Sequence, residues 1–219
     1  MTSLSYALEP VVGIRSGSQW PILGMELLYR GNGTPPDGVL LEWLGQHRLT
    51  THELHLNLDT PTILLITDRI ICAAARRHHL VIEWTEKPWM DRRTQYEAGR
   101  RLAEWRVNHG LRIALDDLGD GMDGLGRLSA IPGGADMVKV AGPLFHLTRD
   151  CPDALRVLQG LRHCLPSRTL LVMEWIETRQ DLATARGLAS AGQGRLFPAF
   201  RRDLPLTMDR SGGRPCPGI

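Results

Sequence analysis

Along the chain, short apolar runs of strand length alternate with longer stretches in which apolar residues recur at helical spacing, the signature of parallel βα units. The runs that predict strands are Ala7 to Ile14, Gly24 to Tyr29, Leu54 to Leu58, Leu80 to Trp84, Arg112 to Asp116, Met137 to Val140, Leu170 to Trp175 and Arg195 to Phe197. Thr60-Pro61 reads as an N-cap followed by proline at the first helical position, opening one helix through Arg77. Leu155, Leu158, Leu161 and Leu165 recur at helical spacing, as do Leu182, Ala185 and Ala189 behind the capping pair Thr178 and Asp181. Eight strands with interleaved helices predict an α/β fold, a modified TIM-type (β/α)8 barrel. Only Arg15 to Leu23 separate the first two strands, too few residues for a helix, so the first strand is expected to run antiparallel to the second. One barrel domain over residues 1–204 is expected, followed by a Gly- and Pro-rich tail over 205–219 that reads as disordered.

Composition narrows the class without naming a chemistry. The length of 219 residues fits one barrel, and a 42% hydrophobic fraction with 23% charged residues is that of a globular domain. No apolar run approaches the roughly 20 residues that cross a bilayer. Met1 to Ser5 lack the features of a secretory signal, so a cytoplasmic protein is expected. Cys72, Cys151, Cys164 and Cys216 show no C-x-x-C spacing, which argues against a zinc site or a disulfide framework. A net charge of +2 gives no electrostatic reason to expect nucleic-acid binding. Only two residues are lysines, Lys87 and Lys139. Lys139 lies inside the apolar stretch Met137 to Val140, where solubility does not explain it, and a desolvated lysine near carboxylates is a common catalytic or orienting group.

Several predicted strands end on an acid or an amide: Glu26, Asn57, Glu83, Asp116 with Asp117, and Glu174 followed by Glu177. A lone Glu at a strand end is commonly a cap or a surface group, and Asp-Asp before glycine is commonly turn chemistry. Five strands sharing the feature point instead to one acidic mouth, because the carboxyl ends of barrel strands converge. Clustered carboxylates repel and are costly to desolvate, and hard divalent cations with oxygen ligands offset that cost. Two such ions form the arrangement used on phosphodiesters. Trp84 and Trp175 read as packing residues, and His78-His79 as the polar end of a helix.

At these residues the sequence resembles the EAL family of cyclic di-GMP phosphodiesterases. Gly24 to Arg30 (GMELLYR) resembles the signature strand, with Leu27 where alanine is expected. Leu56-Asn57-Leu58 is similar to the V-N-L segment, Glu83 to Glu86 to E-x-T-E, and Ala114 to Gly121 to A-x-D-D-F-G-T-G. Lys139 stands in the place of the lysine of K-I-D, Glu174 to Thr178 resembles E-G-V-E-T, and Gln193 to Phe197 resembles Q-G-Y-L-F. The resemblance implies a site that binds Mg²⁺ or Mn²⁺, as two ions, through Glu26, Asn57, Glu83, Asp116, Asp117 and Glu174. It further implies that Lys139 orients the attacking water, that Glu177 supports a loop near the metals, and that Arg30 and Gln193 hold substrate. Glu26, Lys139 and Glu177 are thereby the catalytic candidates, and cyclic di-GMP hydrolysed to linear pGpG is the expected reaction.

Three departures bear on that expectation. Ala141 stands where an acid is expected two residues after the lysine, the loop after Asp117 lacks the usual Phe, Thr and Tyr of a segment tied to dimer contacts, and Arg30 to Asn57 has room for one helix, Val39 to His47, instead of two. Two readings follow: an active phosphodiesterase, with a homodimer in keeping with the family, or a weak or inactive relative that binds the nucleotide or a protein partner to regulate motility or transcription.

Overall fold

The computed structural model describes residues 2–15, 17, 19–33, 35, 37–85, 91–121, 124–197 and 202–208. Strands β1 (Thr2–Gly13), β2 (Ile22–Tyr29), β3 (Glu53–Leu58), β4 (Leu80–Trp84), β5 (Arg112–Leu118), β6 (Met137–Val140), β7 (Leu170–Met173) and β8 (Ala191–Gly192) lie side by side in chain order. From β2 to β8 every neighbouring pair is parallel, and β1 closes the barrel antiparallel to both β2 and β8. The expected mixed barrel is therefore present, with its one reversed strand at the start.

Helices α1 (Asp37–Leu44), α2 (Thr60–Leu65), α3 (Asp68–Ala75), α4 (Arg92–His109), α5 (Gly124–Ala130), α6 (Gly142–Leu147), α7 (Pro152–Cys164) and α8 (Arg179–Leu188) fill the connections. The single helix expected from Thr60 to Arg77 is two. Ile66 and Thr67 adopt extended backbone angles, and Asp68 opens a second N-terminal turn, which satisfies the helix dipole. Asp59, whose Oδ1 accepts from the Thr62 N–H at 2.8 Å, is the cap of α2 in place of Thr60. The capping box at Thr178 and Asp181 is present on α8.

The last expected strand is displaced. Arg195 to Phe197 form a turn after Gly194, whose φ of 144° is open to glycine and strained for other residues, and the ladder pairs Ala191 and Gly192 instead. Past the barrel, β9 (Arg202–Met208) pairs antiparallel with Thr2 to Leu8 of β1. Residues 205–208, expected in the tail, instead extend this strand, because β8 covers only Val12 and Gly13 of β1 and leaves the rest of that edge open to pairing. Residues 209–219, including Cys216, lie outside the described residues, as does Lys87.

Two apolar layers hold the barrel. Alternate strand residues such as Leu56, Ile82, Trp84, Ile113, Leu115 and Val138 face outward and pack with helix residues such as Leu41, Ile63, Leu102 and Leu158. The residues between them face inward, where Val11, Val81, Ala114, Met137, Val172 and Ala191 form a compact plug. Trp84 is a fully buried packing residue whose indole N–H donates to Thr60 Oγ1 at 3.0 Å. His78 is not a polar helix end: it is buried and donates through Nε2 to the His47 carbonyl at 2.8 Å.

Candidate functional site

The inner plug fixes where the polar residues fall. Side chains on a strand alternate, so the next inward position lies two residues further on. Two residues beyond Val81, Ala114, Met137 and Val172 come Glu83, Asp116, Lys139 and Glu174, and two beyond Ala191 comes Gln193. The same step on β2 and β3 leads from Gly24 to Glu26 and from His55 to Asn57. One polar layer thus caps the apolar plug at the carboxyl ends of the strands, opening into a cavity of about 440 Å³ lined by Glu26, Asn57, Asp116, Asp117, Lys139, Glu174 and Gln193.

Lys139 is at the centre of this layer and is fully buried. Its Nζ donates to Glu26 Oε2 at 3.0 Å and Glu83 Oε2 at 2.8 Å, and lies 2.8 Å from Asp116 Oδ1 and 3.0 Å from Glu174 Oε1. One ammonium has three donors and one charge, so it cannot satisfy four carboxyl groups. Glu26 is the best served: Asn57 Nδ2 donates to its Oε1 and Gln193 Nε2 to its Oε2, each at 2.8 Å. Burial alone would raise its pKa, but the Lys139 charge and the donors from Gln193 and Asn57 bring it down to about 2. Glu83 is pushed the other way, by burial and the Glu26 charge. Burial and the neighbouring Asp116 push Asp117 up to about 6. Glu174 is pushed up to about 8, by burial and the charges of Asp116 and Glu26 against the opposing Lys139.

Backbone irregularities aim the last ligand candidates. The β5–β6 register shifts between Leu115 and Leu118, a bulge, and within it Asp117 has a φ of 54°. That left-handed residue breaks the alternation, which lets the consecutive Asp116 and Asp117 serve one cavity. Oxygens of Asp116, Asp117 and Glu174 lie within 4.8 Å of one another, a spacing that could hold a metal ion. The donor set fits a hard cation: it is all oxygen, Asn57 Oδ1 and Gln193 Oε1 are buried without a hydrogen-bond donor, and Asp116 Oδ1 has only its ion-pair contact with Lys139.

Two sequence-designated residues lie apart from this layer. Arg30 and Glu177 line a second hollow of about 330 Å³ with Glu9, His146, Trp175, Gly194 and Arg195, and Glu177 Oε1 is 3.7 Å from Arg195 Nη1. Trp175, read from the sequence as a packing residue, is instead 52% exposed and borders both cavities. Trp175 follows β7 with a φ of 55°, and its ring lies over Gly142.

Three further residues have no local signal in the sequence. His55 Nδ1 shares a 2.6 Å hydrogen bond with Glu83 Oε1, below the polar layer. Its ring fits because Gly24 has no Cβ; an added one would come within 2.3 Å of His55 Nε2. Burial and the Lys139 charge lower the His55 pKa to about 4, so the ring is neutral. Arg127 on α5, buried, donates through Nη1 to the Trp84 carbonyl and through Nη2 to the Asp116 carbonyl at 3.0 Å, tying together the ends of β4 and β5. Arg149 pairs with Asp181 through Nε at 3.0 Å and Nη2 at 2.9 Å, bracing α6 against α8. Burial would raise Asp181, but the bonds from Arg149 and Thr178 hold it well below the usual range.

The raised pKa values set a pH dependence. Asp117 and Glu174 hold protons more tightly folded than at their ordinary values of 3.8 and 4.5, so cation-free stability falls as pH rises through about 6 and about 8. A cation held there would have to displace those protons and would bind more tightly over the same range. Saturating Mg²⁺ or Mn²⁺ is therefore expected to raise the melting temperature by about 5–10 °C near pH 8.5, from about 2.7 kcal/mol at 100 times Kd, and by less near pH 6. Calorimetric melting at both pH values checks this, and equal shifts would contradict it.

The strands of this barrel end on oxygen-bearing side chains around one lysine, a mouth that could hold a metal ion. The chain belongs to the EAL domain family, whose model matches residues 40–198. The match begins after β2, so Glu26 and Arg30 lie outside it. No curated protein matches the chain. Among solved structures, the chain is similar to the EAL domain of Mycobacterium smegmatis DcpA (21% identity, covering 87% of this chain and 88% of that one, TM-score 0.63). It is also similar to Klebsiella pneumoniae BlrP1 in a manganese/cyclic di-GMP complex (19% identity, 92% and 56% coverage, TM-score 0.71), and so spans little more than half of that chain. BlrP1 in a calcium/cyclic di-GMP complex matches likewise (18% identity, 93% and 59% coverage, TM-score 0.68). Among the described residues, no helix is long and apolar enough to cross a membrane.

Proposed function

We propose that this chain is a metal-dependent phosphodiesterase that hydrolyses cyclic di-GMP to linear pGpG. The observation that carries the reading is the buried layer of Glu26, Glu83, Asp116 and Glu174 around a single lysine, whose carboxyl groups outnumber its donors. Glu26, Asn57, Glu83, Asp116, Asp117 and Glu174 would hold Mg²⁺ or Mn²⁺, as two ions. When bound, such ions supply charge neutralisation and Lewis-acid activation of water and phosphate. Lys139, fixed by its carboxylate partners, orients the attacking water in line with the phosphorus. Gln193, already bonded to Glu26, presents an unpaired Oε1 to the mouth, Arg30 contacts substrate from the second hollow, and Glu177 supports the loop beside it. The family and the nucleotide complexes of BlrP1 support cyclic di-GMP as substrate. Incubation of the chain with cyclic di-GMP and Mn²⁺, followed by chromatography, tests the reading: pGpG is expected, and intact nucleotide would refute hydrolysis.

One observation favours a second reading, a nucleotide-binding regulator with little turnover, which would act through a protein partner in the cytoplasm. Ala141 is buried at the end of β6 and caps α6 without a side-chain hydrogen bond, so no acid stands beside Lys139 there. If that gap limits an otherwise competent enzyme, Ala141→Asp raises the rate about 10-fold by adding one supporting contact near the ligands. Steady-state kinetics at saturating Mn²⁺ decide it, since an unchanged rate removes Ala141 as the limit.

A further inference from the structure

We propose that the Trp175 indole is a stacking platform for one purine base of the bound nucleotide, a specificity contact built where the resembling motif has glycine. The inference rests on the nucleotide-binding reading above. A half-exposed tryptophan on a left-handed backbone is costly: a non-glycine residue is strained at a φ of 55°, and the exposed ring recovers little of that by burial. Trp84 and Trp105, by contrast, are buried.

The ring is held in place. It lies over Gly142, where an added Cβ would stand 2.0 Å from Trp175 Cδ2, so only glycine at 142 admits this pose. His146 Nε2–H donates to the Trp175 carbonyl at 2.8 Å, and the His146 ring meets the indole edge-on with centroids 5.7 Å apart and planes at 65°. Arg149, anchored on Asp181, flanks the same imidazole, but its Nη2 cannot donate to a ring nitrogen that itself carries the proton. A fixed aromatic face loses little conformational freedom on binding, which is what a stacking site requires.

Its position selects the ligand. The indole stands between the acidic mouth, which takes cations and through them phosphate, and the hollow carrying Arg30 and Arg195. A planar base on Trp175 would leave its sugar-phosphate within reach of both. Stacking on an aromatic side chain is worth about 1–3 kcal/mol per base, or about 5- to 150-fold in affinity.

The test is calorimetric titration of cyclic di-GMP in Ca²⁺, which keeps turnover low, into the parent and into Trp175→Phe, Trp175→Leu and Trp175→Ala. Expected is Kd near the parental value for Trp175→Phe, and weakening of about 5- to 150-fold for Trp175→Leu and Trp175→Ala. Leucine fills the space without a π face, so the Phe–Leu difference separates stacking from packing even if the alanine variant folds poorly. Equal affinities for Phe and Leu variants would overturn the platform while leaving the nucleotide site standing. No binding by the parent itself would overturn both.

Discussion

Asp116→Ala and Glu26→Ala are each expected to lower cyclic di-GMP hydrolysis by more than about 100-fold, because removal of even an outer partner of a metal ligand typically costs about 10- to 100-fold. Both side chains are buried, and each does two things in the polar layer. Glu26 gathers Asn57, Gln193 and Lys139 onto its two oxygens, so its loss frees three groups as well as removing one candidate ligand. Asp116 pairs through Oδ1 with Lys139 at 2.8 Å, and it sits where the bulge of β5 brings Asp117 alongside. Single-turnover assays at saturating Mn²⁺ separate lost chemistry from lost affinity. Arg30→Ala, in the neighbouring hollow, should weaken nucleotide affinity and leave turnover largely intact. Retained hydrolysis in Asp116→Ala would place the reaction elsewhere.

The second large effect is on stability. Lys139→Met leaves four carboxyl groups without their shared counter-charge, and breaking a buried ion pair from one side costs about 3–5 kcal/mol. The melting temperature of the cation-free protein should fall by about 6–20 °C near neutral pH. Burial would lower the Lys139 pKa, but the surrounding Asp116, Glu26, Glu83 and Glu174 raise it, so the lysine stays charged and the loss should shrink as the carboxyl groups take up protons, beginning with Glu174 as pH falls below about 8. Added Mn²⁺ should recover part of the loss, since a cation replaces the missing charge. An unchanged melting temperature would mean that the carboxyl groups are already neutral without the lysine.

Much of this site is legible in the sequence because a barrel converts alternation into position. Glu83, Asp116, Lys139 and Glu174 each follow an inward apolar residue by two, so strand period and strand end together announce a polar layer. What stays hidden depends on contacts between distant segments. His55 looks like an ordinary polar strand residue until its bond to Glu83, 28 residues away, is seen. Arg127 is one arginine among many, with no local mark of burial. Ile66-Thr67 contains neither proline nor glycine, so nothing in the period of the flanking helices reveals the break between α2 and α3. Arg195 to Phe197 is apolar enough to suggest a strand, whereas the two-residue β8 offers only Ala191 and Gly192, which carry almost no pattern. Trp175 is the sharpest case. An indole beside a strand end reads as core, yet Trp175, with a positive φ, lies half exposed at the rim.

The polar layer as a divalent-cation site is tested most directly by titrating Mn²⁺ into the protein near pH 8 while following the free ion by electron paramagnetic resonance. Saturable loss of the free signal is expected, corresponding to about two ions per chain and weakened about 10- to 100-fold or more in Asp116→Ala. A free signal that rises in proportion to added Mn²⁺ up to millimolar concentration, in the parent as in the variant, would contradict it.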